Sequence, residues 1–176
     1  MSVFISGGCK NGKSLYAQRV ARAGARPLYY IATMIPRDAE DEARIQRHRR
    51  ERAGWGFHTL ECGLNILNCL NEADCRGSFL LDSVTALLAN EMFTAEGMDA
   101  AAPGRVVGEL IEFVRCAPGT VLVSDYIYSD ALLYDEWTEA YRRGLAQIDR
   151  ALAGACDCVV EMVHGIPIVH KGDKPL

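Results

Sequence analysis

Val3-Phe4-Ile5-Ser6-Gly7-Gly8-Cys9-Lys10-Asn11-Gly12-Lys13-Ser14 is the stretch whose reading decides the fold. Gly7 to Ser14 fit the pattern G-x-x-x-x-G-K-[ST]. A short apolar run, Val3 to Ile5, stands before them, and a helical run, Leu15 to Ala23, follows. Strand, glycine-rich turn and helix in that order make a phosphate cradle. The glycines let backbone N–H groups turn inward around phosphate oxygens, and the helix N-terminus adds partial positive charge. The chemistry that follows is nucleoside triphosphate binding: Lys13 reaches the β- and γ-phosphates, and the Ser14 hydroxyl ligates Mg²⁺. A glycine-rich turn with a chance lysine would not carry the flanking strand and helix.

Outward from the cradle, short apolar runs alternate with longer amphipathic ones. Leu28–Ala32, Phe79-Leu80-Leu81, Val121-Leu122-Val123 and Val159–Val163 read as buried strands. Gly165 permits a turn into Ile166-Pro167-Ile168-Val169-His170, an edge hairpin where proline is tolerated. The residues at about 55–59, around His58, read as strand or loop. Helical segments fall at about 12–23, 38–52, 64–73, 83–94, 104–116 and 136–153. In the last, Trp137, Ala140, Tyr141, Leu145, Ile148 and Leu152 recur at helical spacing. Strands separated by helices imply a mainly parallel α/β sheet flanked by helices on both faces, with right-handed crossovers. With no repeat or linker, one nucleotide-binding domain over residues 1–176 is expected.

Composition narrows the function classes. The net charge of −4 argues against nucleic acid as a partner, because such surfaces carry a basic excess. The N-terminus has no basic region followed by an apolar stretch, so it does not read as a signal peptide. No apolar run approaches the roughly 20 residues a bilayer requires. A cytoplasmic protein without a membrane partner is expected. The seven cysteines, 9, 62, 69, 75, 116, 156 and 158, show no C-x-x-C spacing, so neither a zinc site nor a disulfide framework is expected. They read as small buried hydrophobes. Cys156-Asp157-Cys158, if extended, points its two thiols to opposite faces.

Two further sets of residues carry chemistry. Asp82 ends the Phe79–Leu81 run, where an acid typically holds Mg²⁺ opposite the P-loop serine. Asp82 or Ser83 also reads as the cap of the helix that begins at Val84, and both roles can hold at once. The segment Asp38 to Arg52 reads as a helix with acids in its first turn and bases in its last, which complements the helix dipole. On it Arg44, His48 and Arg52 stand four apart and share a face. Flanking arginines repel a proton on the imidazole. A neutral His48 is then a nucleophile for phosphorus, with arginines holding phosphate oxygens. The bland alternative is a solvated charged helix. His58, His164 and His170 read as structural or surface histidines.

The order of these elements is specific. Ile5 to Ser14, then Tyr30-Ile31-Ala32-Thr33, then Arg44-Ile45-Gln46-Arg47-His48-Arg49, then Trp55 to Glu61, then Leu80-Leu81-Asp82-Ser83-Val84-Thr85 resembles the adenosylcobinamide kinase/adenosylcobinamide-phosphate guanylyltransferase family of cobalamin biosynthesis. The match is close over residues 2–94 and looser over 119–172. The resemblance implies a RecA-like P-loop fold, a homo-oligomer of trimeric type, Mg²⁺, and GTP or ATP as substrates beside a corrinoid. It implies two reactions: phosphorylation of the aminopropanol hydroxyl of adenosylcobinamide, and transfer of GMP from GTP through a GMP-histidine. The guanylylated histidine falls on His48, and the P-loop falls on Gly7, Gly8, Cys9, Lys10, Asn11, Gly12, Lys13 and Ser14. Other nucleotide contacts fall on Ala32, Thr33, Met34, Arg49, Arg50, Glu51, Arg52, Glu61 and Asp82. Glu61 offers an acceptor edge for the guanine N1–H and N2–H₂ donors.

One departure stands out. Where better-known members carry Asn-Glu-Val-Gly, this chain has Ser124-Asp125-Tyr126-Ile127-Tyr128-Ser129-Asp130, after a strand's carboxyl end where open α/β sheets bind ligands. Asp125 is the candidate to replace the missing acid as base for the attacking hydroxyl. The alternatives to a bifunctional enzyme are a relative with one of the two activities and a non-catalytic nucleotide-binding subunit. The joint presence of Lys13, Ser14, His48 and Asp82 argues against the last.

Overall fold

The computed structural model describes residues 1–36 and 38–176; the side chains of Arg44 and Glu51 lie outside that description. Among the described residues one sheet of seven strands forms the centre. In chain order the strands are β1 (Val3–Gly7), β2 (Leu28–Ala32), β3 (Phe57–Glu61), β4 (Ser78–Asp82), β7 (Thr120–Asp125), β8 (Cys158–Val163) and β9 (Ile166–Lys171). Two short strands, β5 (Phe93–Thr94) and β6 (Gly97–Met98), make a separate hairpin. The helices are α1 (Lys13–Arg22), α2 (Ala39–Glu51), α3 (Val84–Met92), α4 (Ala102–Cys116) and α5 (Glu136–Ala155).

The sheet order is β3-β2-β4-β7-β1-β8-β9. Each pair is parallel except β8 with β9, the expected C-terminal hairpin. This is the anticipated mainly parallel P-loop sheet. The carboxyl ends of β3, β2, β4, β7 and β1 therefore share one rim, and the register sets Gly7 beside Asp125 and Ala32 between Glu61 and Asp82.

Why the centre is so regular follows from its side chains. Consecutive residues of a strand point to opposite faces. Phe79 and Leu81 enter the core under α3, α4 and α5, with Leu87, Leu110, Phe113, Leu145 and Leu152. Leu80 enters the other core with Ile5, Val121, Val123 and the α1 residues Ala17, Val20 and Ala21. Burial on both faces explains continuous apolar runs rather than alternation.

Several expected boundaries change. The segment read as a helix over 64–73 is a 3-10 helix at Ile66–Asn71. Asn65 precedes it with φ 49°. Carboxylates of Glu91 and Glu109 accept the Asn65 and Ile66 N–H groups, which holds a short turn in place of a longer helix. The helix read to 94 ends at Met92, because Phe93 leaves it to pair with Met98 and stack on Trp137. Helix α4 starts at Ala102, with Pro103 in its first turn where no N–H is needed. The region around His58 is an edge strand in full register with β2. Cys156 is the C-cap of α5 rather than a strand residue, so strand alternation with Cys158 does not arise. The cysteines are not uniformly buried either: Cys69, Cys156 and Cys158 are, whereas Cys9 and Cys116 are exposed.

Candidate nucleotide and phosphoryl-transfer site

The cradle sits where β1 hands over to α1. Gly12, the residue before the helix, has φ 91°, and Gly7 has φ 153°. A Cβ on Gly7 would lie 2.7 Å from both the Asn11 amide and the Met162 carbonyl, so the turn has room for glycine alone. The Asn11 amide donates to the Met162 carbonyl of β8, which pins the loop to the neighbouring strand. Lys10 takes φ 59° and Cys9 is exposed. The loop therefore closes back over the carboxyl end of β1, as the motif requires.

Lys13 and Ser14 open α1. Lys13 is buried; its Nζ donates to the Gly8 carbonyl at 2.6 Å and pairs with Asp125 Oδ1 at 2.7 Å. Asp125 ends β7, and its N–H donates to Thr85 Oγ1 of α3 at 2.9 Å. Ser14 lies beside the Asp82 carboxyl and favours its charged form. Ser83, not Asp82, caps α3, its Oγ accepting the Ala86 N–H at 3.2 Å. The Asp82 carboxyl is thus not the cap of α3. Desolvation pushes that carboxyl up; Asp125 adds to the rise, while Ser14, His48 and Arg52 oppose it. The Asp82 carboxyl and the Ser14 hydroxyl are hard-oxygen donors of the kind that suits Mg²⁺, which is usually held by one or two carboxylates and completed by phosphate and water.

The other half of the rim is built by α2 and β3. Asp38 caps α2, accepting the Asp41 N–H at 2.9 Å. His48 and Arg52, one turn apart, both act electrostatically on Asp82, so the fold adds an acid to the arginines expected around His48. Arg52 is buried with its guanidinium 3.4 Å from the Tyr30 ring centroid, and its Nη1 has no hydrogen-bond partner among the described residues. A buried cation with an unused donor fits an anionic ligand. Arg49 pairs with Glu61, and Arg50 is exposed. Of Glu51 and Arg44 only the backbone is described. An open basin of about 570 Å³ is lined by Arg49, Arg52, Gly54, Gly56, Phe57 and Thr59.

The residues at the end of β2 differ among themselves. Ala32 and Met34 are half-buried. Thr33 is fully buried; its Oγ1 donates to the Ser83 carbonyl at 2.8 Å and accepts the Ser83 N–H at 2.9 Å. Its hydroxyl is thus spent on joining β2 to the cap of α3. Sequence reasoning passed over Asn90 and Tyr30. The Asn90 amide bridges the carbonyls of Thr33 and Gly63, and Tyr30 carries Arg52 on its ring while its hydroxyl lies 3.5 Å from Asp82 Oδ2. Tyr30 stood inside the quoted Tyr-Ile-Ala-Thr stretch; Asn90 had no local signal. His58 lies against Tyr29, and His170 pairs with Glu161 at 2.9 Å.

Comparison with known proteins agrees with this geometry. Residues 3–169 match the family described as cobinamide kinase / cobinamide phosphate guanyltransferase. The chain is 31% identical to the bifunctional adenosylcobalamin biosynthesis protein CobP of Pseudomonas aeruginosa, over 98% of this chain and 99% of that protein. It is 30% identical to the bifunctional adenosylcobalamin biosynthesis protein CobU of Salmonella typhimurium, over 97% of this chain and 100% of that protein. In fold it is similar to a solved protein of Pyrococcus horikoshii OT3, with TM-score 0.53, 8% identity, and coverage of 98% of this chain and 87% of that one. A P-loop joined to a histidine-bearing basic helix on one sheet rim, and a family match over nearly the whole length, lead to one statement: the chain belongs to the cobinamide kinase / cobinamide phosphate guanyltransferase family.

Proposed function

We propose that this protein phosphorylates adenosylcobinamide with a nucleoside triphosphate and then transfers GMP from GTP, through a GMP-histidine on His48, to adenosylcobinamide phosphate. The observation that carries the reading is the convergence of Lys13, Ser14, Asp82 and Asp125 with His48 and Arg52 on one rim.

In the kinase step the P-loop N–H groups and Lys13 hold the triphosphate, and Asp125 accepts the proton of the attacking hydroxyl. Asp125 pairs with Lys13 in the ligand-free protein; a phosphate that draws Lys13 away releases the carboxylate for that work. Ser14 and Asp82 would hold Mg²⁺, which supplies charge neutralisation at the phosphates when bound. In the second step the His48 imidazole attacks the α-phosphorus of GTP and pyrophosphate leaves. Arg52 and Arg49 neutralise charge on the phosphorus oxygens. The phosphoramidate then passes GMP to the acceptor phosphate, so one difficult displacement becomes two. Gly7 to Ser14, Ala32, Thr33, Met34 and Arg49 to Arg52 complete the nucleotide contacts, with Thr33 acting through Ser83 and Glu61 reading the guanine edge.

The reading extends to one cytoplasmic domain that works as a homo-oligomer. Leu133 is 99% exposed and Trp137 53%; apolar side chains so placed suit an interface between copies. The deciding experiment is the intact mass of the protein after Mg²⁺ and GTP, beside His48→Ala. The expected result is a gain of one GMP on the wild type, lost in acid and absent from the variant. A wild type that binds GTP without an adduct would overturn the guanylyl half, and failure to phosphorylate cobinamide would overturn the kinase half.

A further inference from the structure

Between the end of β7 and the start of α5, residues 126–135 form neither helix nor strand. The segment is nonetheless fixed. The Tyr126 N–H donates to the Gly7 carbonyl of the cradle at 3.3 Å, and the Ile127 N–H to the Asp125 carbonyl at 2.9 Å. The Tyr128 hydroxyl donates to Asp149 Oδ2 of α5 at 2.8 Å. At the far end Asp135 caps α5, accepting the Trp137 and Thr138 N–H groups at 3.0 Å.

One side chain holds the middle. Arg142 shares a face of α5 with the buried Leu145 and Asp149, and it is 7% exposed. A guanidinium has five N–H donors in a planar fork, and each finds an acceptor here. Nε donates to the Ile127 carbonyl at 3.2 Å. Nη2 donates to the Asp130 carbonyl at 3.2 Å and to Asp130 Oδ1 at 3.0 Å. Nη1 donates to the Leu132 carbonyl at 3.4 Å and to Glu139 Oε1 at 2.5 Å. The Tyr134 ring lies 4.7 Å from the guanidinium, and its hydroxyl donates to Asp130 Oδ2 at 3.1 Å. A buried cation is costly unless its donors are met. Carbonyls of Ile127, Asp130 and Leu132 meet them, so the charge is accommodated only when the loop takes this path. The loop spends its polar groups on Arg142 and leaves Ile127 and Leu132 exposed.

We propose that Arg142 is a positioning residue for the kinase step: it holds residues 126–132 as a fixed wall beside Asp125, against which the body of the corrinoid acceptor is seated while its hydroxyl meets that carboxylate. This role rests on the proposed function, which places the acceptor hydroxyl at Asp125. A hydroxyl delivered there brings the rest of a large molecule against what adjoins Asp125, and the chain next to it is Tyr126 and Ile127. The apolar edge of a macrocycle suits Ile127 and Leu132, and the carbonyls behind them are already occupied by Arg142. A wall ordered before binding spares the acceptor the cost of ordering a loop. Asp125 is itself held by Lys13 and by Thr85, so loosening the wall weakens acceptor binding more than it slows the chemistry. GMP uptake by His48 requires no corrinoid and does not use the wall.

The test is Arg142→Met in the full chain. KM for cobinamide is expected to rise about tenfold, with kcat and the rate of GMP uptake from GTP within about twofold of wild type. Arg142→Lys, a point charge that cannot reproduce the planar fork, recovers part of the affinity. Asp130→Ala, at an exposed position, frees one edge of the loop with Arg142 in place and is expected to raise KM about threefold; it decides the matter if Arg142→Met does not fold. An unchanged KM in the folded variants would overturn the role. So would equal losses in acceptor affinity, kcat and GMP uptake, which would make Arg142 a residue of general stability. Equilibrium dialysis with cobinamide, read by its visible absorbance, separates this outcome from failure of the kinase reading. A wild type that binds cobinamide without phosphorylating it sinks the kinase reading, and the ratio of Kd between wild type and variant then decides the wall. A wild type that binds no cobinamide overturns both.

Discussion

The phosphate end and the histidine end of the rim are built in opposite ways. The phosphate end stands on β1, β4 and β7, whose residues are nearly all buried on both faces. Its Lys13 is held by a carboxylate and a carbonyl. The histidine end stands on α2, a helix dense in charge, and on β3, an edge strand with three of its five residues exposed. Its arginines meet an exposed glutamate and a tyrosine ring. Phosphate binding through backbone N–H groups needs a fixed loop, and a double core supplies it. The proposed nucleophile His48 stands instead on α2 at the periphery, beside edge strand β3.

The strongest test of this division is kinetic. Lys13→Ala is expected to slow both proposed reactions about 10²–10³-fold or more, whereas His48→Ala removes GMP transfer and leaves kinase turnover within a few-fold. Equal losses in both activities for both variants would erase the distinction. Stability gives the next contrast. Phe79→Ala, at a fully buried site, is expected to cost about 3–5 kcal/mol; Phe57→Ala, on edge strand β3, about 1–2 kcal/mol. Urea unfolding of both variants measures it, and similar losses would place the edge strand in the same cooperative core.

The central region also carries a buried acid. Asp149 of α5 accepts the Tyr128 hydroxyl at 2.8 Å, and burial pushes its carboxyl up to about 6. The native state then binds more protons than the unfolded chain between about pH 4, the ordinary carboxylate value, and pH 6. This group's contribution to stability therefore falls as pH rises through that window, and its unfavourable part is fully present above it. Asp149→Asn keeps an acceptor for Tyr128. It is expected to stabilise the protein by about 1–3 kcal/mol at pH 8 and by almost nothing at pH 4. A gain equal at both pH values would remove desolvation as its cause. The smallest effect is expected at the periphery: Glu61→Gln should lower the preference for GTP over ATP about tenfold. It should shift stability by less than about 0.5 kcal/mol, because its ion pair with Arg49 is exposed. A large stability loss there would make Glu61 structural.

What could be read in advance follows the same division. Strands β1, β2, β4, β7 and β8 announce themselves because double burial demands unbroken apolar runs. The P-loop does so because its glycines and lysine must stand at fixed offsets. Edge strand β3 was left open, since pairing on one side asks little of its side chains. The 3-10 helix was overestimated because its limits are set by Glu91 and Glu109, carboxylates from distant helices. Arg49 was expected at a nucleotide, and its pairing with Glu61 had no trace in local pattern.

The sequence alone determined the α/β alternation, the phosphate cradle, the histidine-bearing basic helix and, by resemblance, the family. All of these rest on local spacing. Tertiary structure decided what stands beside what: Asp125 at Lys13, Ser14 at Asp82, Arg52 on Tyr30, and Asn90 between Thr33 and Gly63. Such contacts depend on strand order and on side-chain burial, and those emerge only when the whole sheet closes its two cores.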